Sequence, residues 1–306
     1  MKKWLLALGA ALSSALLILP ASSGCAGPVP ATGSIVVTYS ILGSLVKDLV
    51  GNRAEVIVSI PNGLDPHTWS PSARDIEAIN KARLVIQNGL GLEGGMQKTL
   101  AQAQSNGVRF FTASDYITVR HVGPGEGVPS GDPDQTVGAP DPHLWTDPLA
   151  LKSIIAALSG YLKSNLGIDV DAESTALQSR LDTLNQQITA LTSALPPDSR
   201  KLVTGHESMG YFSARYGFTL IGALVPSLSD QADVSAADLA ALKQDILSNG
   251  VGAIFTELGT SAVVINQIGK ETGARVVQLS THVLPADGSY FTFETNLAQT
   301  IVDGLK

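Results

Sequence analysis

The chain has a single cysteine among 306 residues, Cys25. No disulfide can form within one chain, so the fold must stand on its apolar core alone. Charged residues are scarce at 15%, aromatic residues scarcer at 5%, and the net charge is −7 with a pI near 5.2. An acidic balance lacks the footprint of a nucleic-acid binder, and no nucleic-acid partner is expected. There is no His-Glu-x-x-His helix of the kind that builds a zinc peptidase. The apolar run from Leu5 to Leu19 is too short for a membrane span. What remains is a chain long enough for two domains and an ample core.

The N-terminus reads Met1-Lys2-Lys3, then that apolar run, then Pro20-Ala21-Ser22-Ser23-Gly24-Cys25. A basic start, an apolar middle and a small-residue end are the order of a secretory signal peptide, here residues 1–25. Its end resembles a bacterial lipobox, in which the cysteine is lipidated and becomes the mature N-terminus. Ser23-Gly24-Cys25 fits, while Ser22 stands where that pattern usually has Leu. Cys25 is thus a candidate lipidation site; the alternative is ordinary cleavage nearby, leaving an unpaired thiol outside the cell. Residues 26–33, rich in Pro and Gly, would then be a flexible tether.

From Ser34 onward apolar runs alternate with amphipathic ones. Ile35–Thr38, Val56–Ile60, Leu84–Ile86 and Val108–Phe111 are predicted strands, with helices between them and one helix opened by Ser70-Pro71. Continuous apolar strands separated by helices indicate parallel sheets covered on both faces. Ala113 to Pro140, rich in Gly and Pro and carrying Asp132 and Asp134, is a long surface loop. A helix follows from Pro148, and a second over 171–195 whose Leu177, Leu181, Leu184, Ile188, Leu191 and Leu195 form a narrow heptad-like seam. Under three heptads is short for a coiled-coil dimer, so this helix is read as a rigid connector ended by Pro196-Pro197. The β/α rhythm restarts with strands at 201–204, 218–221, 251–255 and 275–279, and Ser235 with Asp238 makes a capping box. The domains expected are 34–170, a connector over 171–197, and 198–306.

Three histidines stand in short segments ahead of helices. His143 lies in Asp141-Pro142-His143-Leu144-Trp145-Thr146-Asp147-Pro148, where Thr146 or Asp147 caps the helix and Pro148 occupies its first position. His67 and His206 each follow a predicted strand. One histidine means little, but three in matched positions suggest a metal site. His121, inside the long loop, reads better as a solvated residue.

Asn62-Gly63-Leu64-Asp65-Pro66-His67-Thr68-Trp69, the His143 segment, Thr204 to Phe212 and Gly288-Ser289-Tyr290-Phe291 occur in that order. Together they resemble the zinc/manganese-binding receptors of bacterial ABC importers, over essentially the whole mature chain. The resemblance implies an α/β fold of two Rossmann-like lobes with parallel sheets, joined by one long helix, with the metal in the cleft between them. It implies capture of a divalent ion outside the cytoplasm, delivery to an ABC permease, a lipid-anchored monomer, and no catalysis. By the same resemblance His67, His143 and His206 match three ligands. The family often adds an aspartate after the last strand of the second lobe, whereas this chain has His282 there. His282 is favoured as fourth ligand, with Glu257, Asp287 or a water as alternatives.

Three imidazoles suit Zn2+, and Mn2+ less, since harder ions prefer oxygen. Asp65, Asp141 and Glu207, each near a histidine, are candidate acceptors for imidazole N–H groups. Two other classes fit three histidines: a zinc hydrolase with Glu207 as general base, and an adhesin or scaffold with a structural metal.

Overall fold

The computed structural model describes residues 33–123, 126, 137–229 and 234–306. The signal segment, Cys25, tether residues 26–32 and the loop acids Asp132 and Asp134 lie outside them.

The first half alternates β1 (Ile35–Tyr39), α1 (Ser40–Val50), β2 (Val56–Ile60), α2 (Ala73–Lys81), β3 (Leu84–Gln87), α3 (Gln97–Ser105) and β4 (Phe110–Thr112). The strands make one parallel sheet in the order β2-β1-β3-β4. Every residue of β1 is buried, as its unbroken apolar run requires of a strand covered on both faces. α1 lays Ile41, Leu42, Leu45, Val46 and Leu49 against this sheet. The approach is close: a Cβ on Gly43 would meet Val58 Cγ2 at 2.6 Å.

Two helices follow, α4 (Pro148–Leu166) and α5 (Asp171–Thr192). Asp147 caps α4, its Oδ1 accepting the Leu149 N–H at 2.9 Å, with Pro148 at the first position. Leu177, Leu181, Leu184 and Ile188 of α5 are buried, and the helix packs on α1 and α4 from the first half. From the second half it meets α6 (Gly210–Tyr216) and α9 (Tyr290–Leu305). Its heptad-like seam is therefore consumed inside the chain, each buried Leu or Ile contributing on the order of 1.5–3 kcal/mol. α5 ends at Thr192, ahead of the predicted stop at Pro196-Pro197, and Leu195 is buried beyond the helix.

The second half contains β5 (Lys201–Thr204), α6, β6 (Thr219–Ala223), α7 (Ala236–Asn249), β7 (Ala253–Thr256), α8 (Ala262–Thr272), β8 (Arg275–Gln278) and α9. Its strands form two parallel pairs, β5-β6 and β7-β8, with β5 beside β7. The β5-β6 register shifts between Leu202 and Val203. The result is two α/β lobes bridged by α5.

The predicted capping box at Ser235 and Asp238 is present on α7. The predicted start of α2 is displaced: Ser72, not Ser70-Pro71, is its cap, in a reciprocal box with Asp75. The reason is chemical, since Asp75 returns a carboxylate to the Ser72 N–H at 2.9 Å and Ser70 has no such partner three residues on. No helix among the described residues is long and apolar enough to cross a membrane.

Candidate metal centre

Four histidines converge. His67 lies in the segment after β2, His143 just before the 3-10 turn Leu144–Thr146, His206 just after β5, and His282 after β8. Each offers a ring nitrogen, and these atoms all lie within 4.8 Å of one another. Their ring centroids are 5.1 to 6.1 Å apart and all four side chains are buried. Three of the four leave the carboxyl ends of parallel strands, where α/β sheets place ligands.

Three of the four rings are held from outside. His143 Nδ1 lies 2.9 Å from Asp141 Oδ1, and Arg120 Nη1 donates to the other oxygen of that carboxylate at 3.1 Å. His206 Nδ1 lies 2.9 Å from Glu257 Oε2. The same carboxylate receives Ser208 Oγ–H at 3.0 and 2.9 Å and Thr281 Oγ1–H at 2.9 Å. Because the Thr281 proton is given to Glu257, its oxygen accepts from His282 Nδ1 at 2.9 Å. In all three rings Nδ1 therefore carries the proton and Nε2 carries the lone pair. Nε2 of His143 and His206 face each other at 3.2 Å. The Nε2 atoms of His67 and His282 are buried with no hydrogen-bond partner among the described residues. Groups of this kind are costly to bury unless something accepts their lone pairs.

The description "Zinc-uptake complex component A periplasmic" names the family model that matches residues 35–304. The chain belongs to this family. It is 26% identical over 286 residues to the zinc-binding protein TroA of Treponema pallidum (strain Nichols), covering 89% of this chain and 88% of that one. It is 24% identical over 321 residues to the iron ABC transporter substrate-binding lipoprotein MtsA of Streptococcus pyogenes serotype M1, covering 99% of each. It is 24% identical over 287 residues to the manganese ABC transporter substrate-binding lipoprotein PsaA of Streptococcus pneumoniae, covering 89% and 88%. The solved structure of the Treponema pallidum protein overlays with a TM-score of 0.76 at 23% identity, covering 89% of this chain and 99% of that one. As a member of the zinc-uptake component A family, this chain is a metal-binding receptor of an ABC importer and not an enzyme.

Within that family frame the acids divide their work differently from the sequence expectation. Asp141 serves the His143 ring as anticipated. Asp65 Oδ1 instead accepts the backbone N–H of His67 at 2.9 Å. The His206 ring is carried by Glu257 rather than by its neighbour Glu207. Glu257 is thereby occupied as an acceptor, and Asp287 braces the start of α9, its carboxylate accepting the Ser289 N–H at 3.0 Å and the Thr292 Oγ1–H at 2.7 Å. Of the alternatives at the fourth position, it is His282 that brings a ring nitrogen into the cluster. The signal that could have singled out Glu257 is its place as an acid immediately after β7. His121 pairs with Pro140 in an isolated bridge, away from the cluster.

Burial sets the protonation of the centre. It lowers His67 and His282 well below the ordinary histidine value, with repulsion from the neighbouring imidazoles adding to it. Burial also lowers His143, although Asp141 pulls the other way. Burial alone would raise Glu257, but the electrostatic pull of the His206 ring beside it and the hydrogen bonds from His206, Thr281 and Ser208 outweigh it and hold the carboxyl below its usual range. Neutral imidazoles are the state that binds a cation.

Glycines hold the His67 segment in place. A Cβ on Gly94 would meet the His67 carbonyl oxygen at 2.7 Å, and one on Gly95 the Trp69 carbonyl oxygen at 2.2 Å. Trp145 sits between His143 and His282, with ring centroids 5.3 and 5.2 Å away, and its Nε1–H donates to the Thr281 carbonyl at 2.9 Å.

Proposed function

We propose that this receptor captures Zn2+ outside the cytoplasm, through Nε2 of His67, His143, His206 and His282, and delivers it to an ABC permease. The observation that carries this reading is the donor set: four ring nitrogens within 4.8 Å and, among the described residues, no carboxylate oxygen in the group. Nitrogen donors in a tetrahedron favour zinc, whereas manganese is better served by oxygen. A tetrahedral zinc with Zn–N bonds of roughly 2.0–2.1 Å sets its nitrogens roughly 3.3–3.4 Å apart, and the 3.2 Å separation of His143 and His206 supports that fit. Relatives whose names specify zinc, iron or manganese span the family, so the ligand atoms carry the choice, not the fold.

Signal cleavage ahead of Cys25 and its lipidation complete the reading, with a monomer tethered to the membrane by 26–33. The lobes are 34–170 and 198–306, joined by 171–197. The relatives named as lipoproteins support the anchor. Competition titration with Zn2+, Mn2+ and Fe2+ tests the metal. One Zn2+ per chain, bound far more tightly than Mn2+, is expected; Mn2+ binding as tight as Zn2+ overturns it.

A further inference from the structure

The segment bearing His282 follows β8 of the second lobe, yet much of its polar backbone is held by the first. Asn62 takes both backbone groups of Leu284: its Oδ1 accepts the N–H at 2.8 Å and its Nδ2 donates to the carbonyl at 2.9 Å. Trp145 Nε1–H holds the Thr281 carbonyl at 2.9 Å. Ser44 Oγ–H holds the Gly288 carbonyl at 2.7 Å and receives the Tyr290 N–H at 3.2 Å. His282 thus sits between two clamped neighbours, Thr281 and Leu284. The tie back to the second lobe runs through Leu279 N–H to the Thr256 carbonyl and Thr281 to Glu257.

Asn62 is exposed and five residues before His67, in the same loop. A primary amide offers one donor and one acceptor side by side, which is what a single extended residue presents. Its two bonds to Leu284 fasten the His67 loop to the His282 loop, whose imidazoles lie 5.9 Å apart. We propose that Asn62 is a positioning residue for ion capture, acting through His282. With Asn62, Trp145 and Ser44 in place, His67, His143 and His282 share one frame, and His206, on β5 and Glu257, closes the site from the second lobe. This rests on the four-histidine reading above.

A double-mutant cycle separates that role from a general structural one. Zinc affinity is measured by chelator competition on the whole protein, as wild type, Asn62→Ala, His282→Ala and the double variant. Asn62→Ala should weaken binding about tenfold, the low end for residues that orient metal ligands. In the His282→Ala background it should do nothing further. Equal weakening in both backgrounds, or none in wild type, overturns the proposal, as does a matching fall in the unfolding temperature of the metal-free protein. Cobalt(II) gives the second readout. Asn62→Ala and His282→Ala should shift its visible bands in the same direction from wild type, and a wild-type spectrum for Asn62→Ala overturns the idea even if His282→Ala binds too weakly to titrate. Failure of wild type to bind zinc at all would instead sink the four-histidine reading.

Discussion

A single oxygen of Asp141 serves both the backbone N–H and the ring Nδ1 of His143, each at 2.9 Å. The carboxylate thereby fixes the segment and the tautomer together, and leaves Nε2 aimed at the other imidazoles. Glu257 does comparable work for two rings, directly for His206 and through Thr281 for His282.

Replacing these acceptors should therefore weaken zinc unequally. Asp141→Asn and Glu257→Gln are each expected to lower affinity by about 10- to 100-fold, the range for groups that orient metal-bound histidines. Glu257→Gln should be the worse of the two because two imidazoles depend on it. Chelator competition measures both, and an Asp141→Asn effect equal to or larger than that of Glu257→Gln would contradict this.

Among the histidines, His67→Ala, His143→Ala and His206→Ala should each weaken zinc strongly. His282→Ala should weaken it less, since water can take a fourth position. His121→Ala should leave affinity unchanged, because its ring lies outside the cluster. Calorimetric titration of the five variants is the check; a His121→Ala loss matching that of His143→Ala would refute the assignment.

Glu294 on α9 supplies a pH prediction independent of the metal. Burial, and then the negative charge of Asp147, push its carboxyl well above the ordinary 4.5, and neither oxygen has a hydrogen-bond partner among the described residues. The folded state keeps this proton where the unfolded chain would release it. Its contribution to stability is whole below pH 4.5 and is lost as pH rises toward the folded-state value. Glu294→Gln, neutral throughout, should gain stability relative to wild type between about pH 5 and 8. Denaturant unfolding of the metal-free proteins reads the difference, and parallel pH profiles would rule it out.

The glycine cradle under His67 gives the last expectation. Gly95→Ala forces a Cβ onto the Trp69 carbonyl oxygen, 2.2 Å away, and backbone on both sides must shift. A loss of roughly 1–3 kcal/mol of stability, typical of overpacking, should accompany weaker zinc binding. Thermal unfolding that leaves both properties at wild-type values would be the contrary result.

The β/α rhythm was legible because apolar runs such as Ile35–Val37 and Leu84–Ile86 are local signals that burial on both sheet faces demands. The Asp141–His143 pair was legible for the same reason, two residues apart with a proline between. The Glu257–His206 pair was not, because 51 positions separate 206 from 257 and only the adjacency of β5 and β7 joins them. The clamp of Asn62 on Leu284, 222 positions apart, belongs to the same class. Boundaries failed where a cap depended on reciprocity, as at Ser72 and Asp75, and where a helix stopped short of its proline.

Trp145 has a use beyond its packing. Its indole is fully buried and within 5.3 Å of two imidazoles of the cluster, while Trp69 lies two residues from a third. A divalent charge arriving on those rings alters the field across the indole's excited state. The chain thus carries an intrinsic fluorophore beside the cluster, and a change in emission from the unlabelled protein is the expected signal of an ion's arrival.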